Sequence, residues 1–236
     1  MTGRQKLLAV MLAAVAVGSG AYYFIPRGGE VVAPKNAAVS TSAEAATPIK
    51  GARSLIVYFT YSENIGDTSG MNIDAVTAAS LHGEKLVDEG NMQVMVKEIA
   101  NKTGADTYSI VKAKPYAVDF ENMTNVAKAE IEENLAIELK NPLPDFSRYD
   151  VIYLGTPIWW YTIPQPVKVF LEQADLAGKT IVPFGIHRGS GFNNNLETIA
   201  ELAPKARLTA DFTIDAKTKN SDTRAQFDEF LDKLSK

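Results

Sequence analysis

Three unbroken apolar, β-rich runs constrain this chain most: "SLIVYFTY" (54–61), "YDVIYLG" (149–155) and "KTIVPFGI" (179–186). A strand with one wet face alternates apolar and polar residues, so an unbroken run needs cover on both faces. Such cover comes from helices, and the intervening sequence supplies them. "NMQVMVKEIANKTG" (91–104) reads as a helix closed by a glycine cap, and "NMTNVAKAEIEENLAIELK" (122–140) as one stopped by Pro142 and Pro144. Shorter helices follow over 166–174 and 196–202. A last one carries Phe227, Phe230, Leu231 and Leu234 on one face, with Asp222 as its N-cap. "DTYSIV" (106–111) and "ARLTADFTI" (206–214) complete a count of five strands. Strand and helix therefore alternate, which calls for an α/β fold: a parallel sheet with right-handed crossovers and helices on both faces.

Ligands of such sheets sit outside the carboxyl ends of the strands. The segments after strands one, three and four are the informative ones. After strand one, Ser62 ends the strand and Gly90–Asn91 opens a helix, the kind of N-terminus that holds a phosphate. Between them, residues 63–89 form a connection far longer than usual, either a functional element or an insertion without a task. After strand three comes "GTPIWWYTIPQPVKVFLEQ" (155–173), with both tryptophans of the chain side by side among stiffening prolines. Extended neighbours point to opposite sides, so one indole can cover a flat ligand while the other packs inward. Two plugs at the top of the sheet are the alternative. After strand four, "HRGSGFNNN" (187–195) is a glycine-rich turn that lets backbone approach a ligand. Together the loops suit a ligand with a phosphate tail and a large flat ring.

Composition removes several classes. There is no cysteine, hence no disulfide, thiolate metal site or cysteine nucleophile, and two histidines are too few for a histidine-rich metal site. A net charge of -4 without a basic stripe gives no footprint for nucleic acid. No GxGxxG follows a strand and opens a helix, so a nicotinamide fingerprint is absent. At the N-terminus, Arg4 and Lys6 precede an apolar run over 7–25. That is either an export signal, with Ser19 and Ala21 at a cleavage site, or an uncleaved membrane anchor of about 20 residues. Both send the remainder out of the cytoplasm. The organisation expected is a signal peptide or anchor over 1–26, a flexible linker over 27–52 and a folded domain over 53–236.

The motifs "LIVYFTYS", "GNMQVMVKEIA", "YDVIYLGTPIWW", "PQPVKVFLEQADLAGKTIVPF" and "HRGSGF" run in order through nearly the whole domain. In them the chain resembles the flavodoxin-like family of FMN-binding proteins, particularly those related to flavodoxin and NAD(P)H-quinone oxidoreductases. The resemblance implies a five-stranded sheet in order 2-1-3-4-5 and one noncovalent FMN. It implies that Ser62, Gly90, Asn91 and Met92 form the phosphate loop. Thr156, Pro157, Ile158, Trp159 and Trp160 would line the ribityl chain and ring, and His187, Gly189, Ser190 and Gly191 would lie at the pyrimidine edge. Tyr161 and His187 would orient a quinone or similar acceptor. Met92 replaces a usual threonine, and Arg188 a common glycine. The function expected is electron transfer or FMN-dependent oxidoreduction outside the cytoplasmic membrane, with a quinone or redox protein as partner. The alternative is a binding module on the same fold that has lost FMN.

Overall fold

A computed structural model of the chain describes residues 51–66, 81–82, 85–86 and 90–235. The segment expected to be a signal or anchor lies outside these residues, as do all but the last two positions of the expected 27–52 linker and most positions of the 63–89 connection.

The sheet is built from β1 (Ser54–Tyr58), β4 (Asp106–Ser109), β5 (Val151–Pro157), β6 (Thr180–His187), β7 (Arg207–Leu208) and β8 (Phe212–Asp215). Its order is β4-β1-β5-β6-β7, with β8 also on β6, and every pairing in it is parallel. This is the order 2-1-3-4-5, since β7 and β8 are two halves of one fifth strand. The break between them has a cause in β6. The Ile181 carbonyl accepts the Thr209 N–H at 3.0 Å, so Ile181 and, two residues on, Pro183 face the fifth strand. Proline has no N–H to give there. The register advances from Ile181↔Leu208 to Phe184↔Phe212, leaving one extra residue on the outer strand.

Helices α1 (Asn91–Thr103) and α5 (Asn220–Leu234) cover one face; α2 (Phe120–Glu132), α3 (Gln165–Gln173) and α4 (Asn195–Leu202) cover the other. Successive residues of the central strands serve opposite cores: Leu55, Val57, Ile152 and Leu154 face α2 and α3, whereas Ile56, Val151, Tyr153 and Phe184 face α1 and α5. Two-sided burial is why these strands read as unbroken apolar runs. In the 63–89 connection, β2 (Leu81–His82) and β3 (Lys85–Leu86) pair antiparallel as a ribbon separate from the main sheet.

Two helix expectations are corrected. The helix expected over 122–140 ends at Glu132. Asn134 adopts a left-handed φ of 47°, and the N–H groups of Asn134 and Leu135 return to the carbonyls of Ile131 and Glu130. That is a Schellman ending with asparagine in place of glycine. The chain then runs back so that Leu139 bridges Lys112. Asp222 is not the N-cap of α5: the helix begins at Asn220, and Asp222 lies in its first turn.

Candidate functional site

The loops after β1, β5 and β6 meet at the carboxyl edge because their strands are adjacent. Phe59 N–H bonds the Gly155 carbonyl at 3.0 Å, and Ile158 N–H bonds that of Ile186 at 2.8 Å.

After β5 the chain makes a tight hairpin. Trp159 and Thr162 exchange backbone hydrogen bonds of 2.8 and 2.9 Å, and the residues between them, Trp160 and Tyr161, have φ of 50° and 65°. Two consecutive left-handed residues define a type I′ turn, normally the place of Asn-Gly. The two indoles diverge as expected, but through this turn rather than through extended backbone. Trp159 is half-buried, edge-on to Phe59, Tyr61 and Tyr116 at 5.4, 6.4 and 5.5 Å between ring centroids. Trp160 is 50% and Tyr161 75% exposed, and the Lys128 ammonium lies 5.4 Å from the Trp160 ring centroid. Thr156 and Pro157 belong to the buried end of β5, and the Thr156 hydroxyl donates to the Pro157 carbonyl at 2.9 Å.

The turn after β6 is open. Gly189 and Gly191 have φ of 91° and 66°, and a Cβ at either would meet no atom within 4 Å. Gly189 N–H donates to His187 Nδ1 at 3.0 Å, which fixes that nitrogen as an acceptor; the Ser190 hydroxyl donates to the Gly191 carbonyl at 3.1 Å. Arg188 is exposed.

After β1 lies a chain of hydroxyls. Gln93 Nε2 donates to Ser62 Oγ at 3.3 Å, Ser62 donates to Thr60 Oγ1 at 3.3 Å, and Thr60 donates to Glu63 Oε2 at 3.0 Å. Glu63 also accepts from Tyr58 at 3.0 Å and Ser109 at 2.6 Å. Burial and the Glu63 charge push the Tyr58 phenol up to about 12. At the start of α1 no acidic residue occupies the first turn, while Gln93 Oε1 takes the Gly90 N–H at 3.1 Å.

Two expected site residues turn away. Met92 is fully buried between α1 and the sheet, where a Cβ on Gly155 would come within 2.8 Å of its sulfur. Asn91 is buried and tied to the start of α5: its amide donates to the Thr218 carbonyl at 2.9 Å and its Oδ1 accepts the Thr223 hydroxyl at 2.9 Å. At this edge they present backbone, not side chain.

Beneath these loops lies a polar floor with no signature in the local sequence. Asn64 is buried and fully used: Nδ2 donates to the carbonyls of Thr60 and Ile110 at 2.8 and 3.0 Å, and Oδ1 accepts the Lys112 N–H at 2.8 Å. Beneath Trp159, the Lys112 ammonium pairs with Glu130 Oε1, and Tyr116 donates to Glu130 Oε2 at 2.5 Å. The ammonium also lies 3.5 Å from the Tyr116 ring centroid. Burial pulls the Lys112 pKa down, and burial with the Glu130 contact pushes the Tyr116 phenol well above its ordinary value. Nothing in the local pattern of "KAKPY" marks these residues, because their partners come from α2 and the β1 loop.

A cleft of about 460 Å³ between residues 143–147 and 173–179 opens at the amino ends of the strands, away from these loops. Among the described residues no cluster of histidine and acidic side chains is placed to hold a metal.

Fold and edge together define a doubly wound α/β protein of the flavodoxin-like class. The sequence profile of the flavodoxin family matches residues 86–233, and the chain belongs to that family. Solved structures agree on the fold. A protein from Bacteroides uniformis assigned as a flavoprotein has a TM-score of 0.56 at 21% identity over 78% of this chain and 99% of its own. One from Bacteroides eggerthii, assigned likewise, has a TM-score of 0.54 at 22% identity over 76% and 98%. A Lactobacillus acidophilus flavoprotein in complex with FMN has a TM-score of 0.51 at 18% identity over 78% and 99%. No curated protein matches the chain in sequence.

Proposed function

We propose that the carboxyl edge binds FMN noncovalently and that the protein is an electron carrier or flavin-dependent oxidoreductase. The observation that carries this reading is the convergence of three differently built loops on one sheet edge, with Trp160 held out to solvent by a left-handed turn. The residues fit such a ligand. Gly189 and Gly191 leave open space for close backbone approach, and Trp160 offers a large aromatic surface. The first turn of α1, without an acidic side chain, favours an anion through its dipole. The complex of the Lactobacillus acidophilus protein with FMN adds support through the shared fold.

FMN, when bound, supplies the redox chemistry. The chain's own residues bind and orient. Ser62 and the backbone at Gly90–Asn91–Met92 would meet the phosphate. Trp160 would cover the ring, Trp159 would hold the loop onto Phe59 and Tyr61, and Ser190 and Gly191 would offer backbone N–H groups to the ring edge. Tyr161, 75% exposed beside Trp160, would meet an incoming acceptor such as a quinone or a redox protein. The charged and then apolar N-terminal sequence supports action outside the cytoplasmic membrane. A second reading, a module that has lost FMN, draws on the engagement of the Thr60 hydroxyl by Glu63.

Titration of the full chain with FMN tests the proposal. Binding should quench flavin fluorescence and redshift its absorption, and a Trp160→Leu variant should lose most of the quenching. No quenching and no spectral change at high FMN would leave the second reading standing.

A further inference from the structure

We propose that Glu63 is an internal competitor for the phosphate of the flavin, and so sets which flavin tail this site tolerates. The inference rests on the flavin reading above.

One carboxylate gathers three hydroxyl donors: Tyr58 at 3.0 Å, Thr60 at 3.0 Å and Ser109 at 2.6 Å. Two of them stand on the paired strands β1 and β4, whose register puts Tyr58 beside Ser109. Thr60 belongs to the loop itself, and Ser62, the other hydroxyl there, already donates to Thr60. The donors that a phosphate would need at the mouth of β1 are thus turned, one through the next, toward an anion that the protein carries in its own chain. Charge adds to this competition. A phosphate monoester brings about -1.5 to -2 charges at neutral pH, next to a carboxylate only one residue from Ser62. Like charges that share donors disfavour each other. A flavin with a neutral tail makes no such demand, because it can bind at the tryptophan hairpin and the glycine turn with the Glu63 contacts intact. The chain then discriminates between FMN and riboflavin less than a loop without this carboxylate, by weakening FMN alone.

Glu63 is exposed, so its replacement tests binding without threatening the core. The full chain and its Glu63→Gln and Glu63→Ala variants would be titrated with FMN and, separately, with riboflavin, following flavin fluorescence. Glu63→Gln removes the charge and keeps the shape; Glu63→Ala frees the hydroxyls as well. Both should tighten FMN by about tenfold or more and leave riboflavin within about twofold, the charge term alone being of that order. Equal shifts for both flavins, no shift for either, or weaker FMN binding in the variants would overturn the inference while leaving the flavin site in place. Failure of every form to bind either flavin would overturn the flavin reading itself, and this inference with it.

Discussion

Lys112→Met would break a buried ion pair and leave a carboxylate without its cation. Both side chains of the Lys112–Glu130 pair are only 6% exposed. Removing one partner of such a pair costs about 3–5 kcal/mol, because the remaining charge stays out of water. The Glu130 carboxylate would keep one donor, the Tyr116 hydroxyl at 2.5 Å, which is too little to replace solvation. A domain of this size loses about 2–4 °C of Tm per kcal/mol, so the variant should melt roughly 6–20 °C below the parent. The double variant Lys112→Met/Glu130→Leu carries no buried charge and should recover part of that loss. It leaves the Tyr116 hydroxyl without an acceptor, which costs about 1–3 kcal/mol. Adding Tyr116→Phe should then bring stability close to the parent. Thermal unfolding followed by circular dichroism, with urea denaturation as a second measure, reads all the forms. Strict additivity of Lys112→Met and Glu130→Leu, or a Lys112→Met variant as stable as the parent, would refute the reasoning: the pair would then be effectively solvated.

Replacing Trp160–Tyr161 by Asn-Gly relieves left-handed strain of roughly 1–2 kcal/mol per residue and gives up the Lys128 contact, about 0.5–1 kcal/mol. Denaturation should show a more stable protein, while FMN titration should show a weaker site. Gly155→Ala puts a Cβ 2.5 Å from Phe184 Cζ and 2.8 Å from Met92 Sδ, and should cost about 1–3 kcal/mol in urea unfolding. A concurrent Met92→Ala should make the glycine change less costly than it is alone, which a double-mutant cycle measures. Burial pushes the phenols of Tyr61 and Tyr153 from 10.0 to about 12, and at Tyr61 the Asp119 charge adds to it. Their neutral forms are favoured in the folded state, so this contribution is complete below pH 10 and is lost as pH rises through about 12. Tm measured against pH should fall across that window, and phenolate absorbance of the folded protein should lag behind that of the unfolded chain.

The sheet was legible from the residues alone. The runs at 54–58, 151–157 and 180–187 are apolar on both faces because helices cover both, and their spacing left room only for crossovers. It also placed the three loops at one edge, since parallel strands send all their carboxyl ends the same way. Elements set by a local backbone choice were less legible. The early end of α2 depends on Asn134 entering the left-handed region, and the split of the fifth strand depends on Pro183 of a neighbouring strand. Which side chains face the edge was set by packing between distant elements. Helix phase turns Met92 into the core and Asn91 toward α5, although both stand in the motif expected to hold a phosphate. The hydrogen bonds of Glu63 reach Ser109 at a separation of 46 residues, and those of Asn64 reach Lys112 at 48. Periodicity records which face of an element is apolar; it carries no record of which distant polar group a buried donor or acceptor will find, and that pairing is made only when the loops meet.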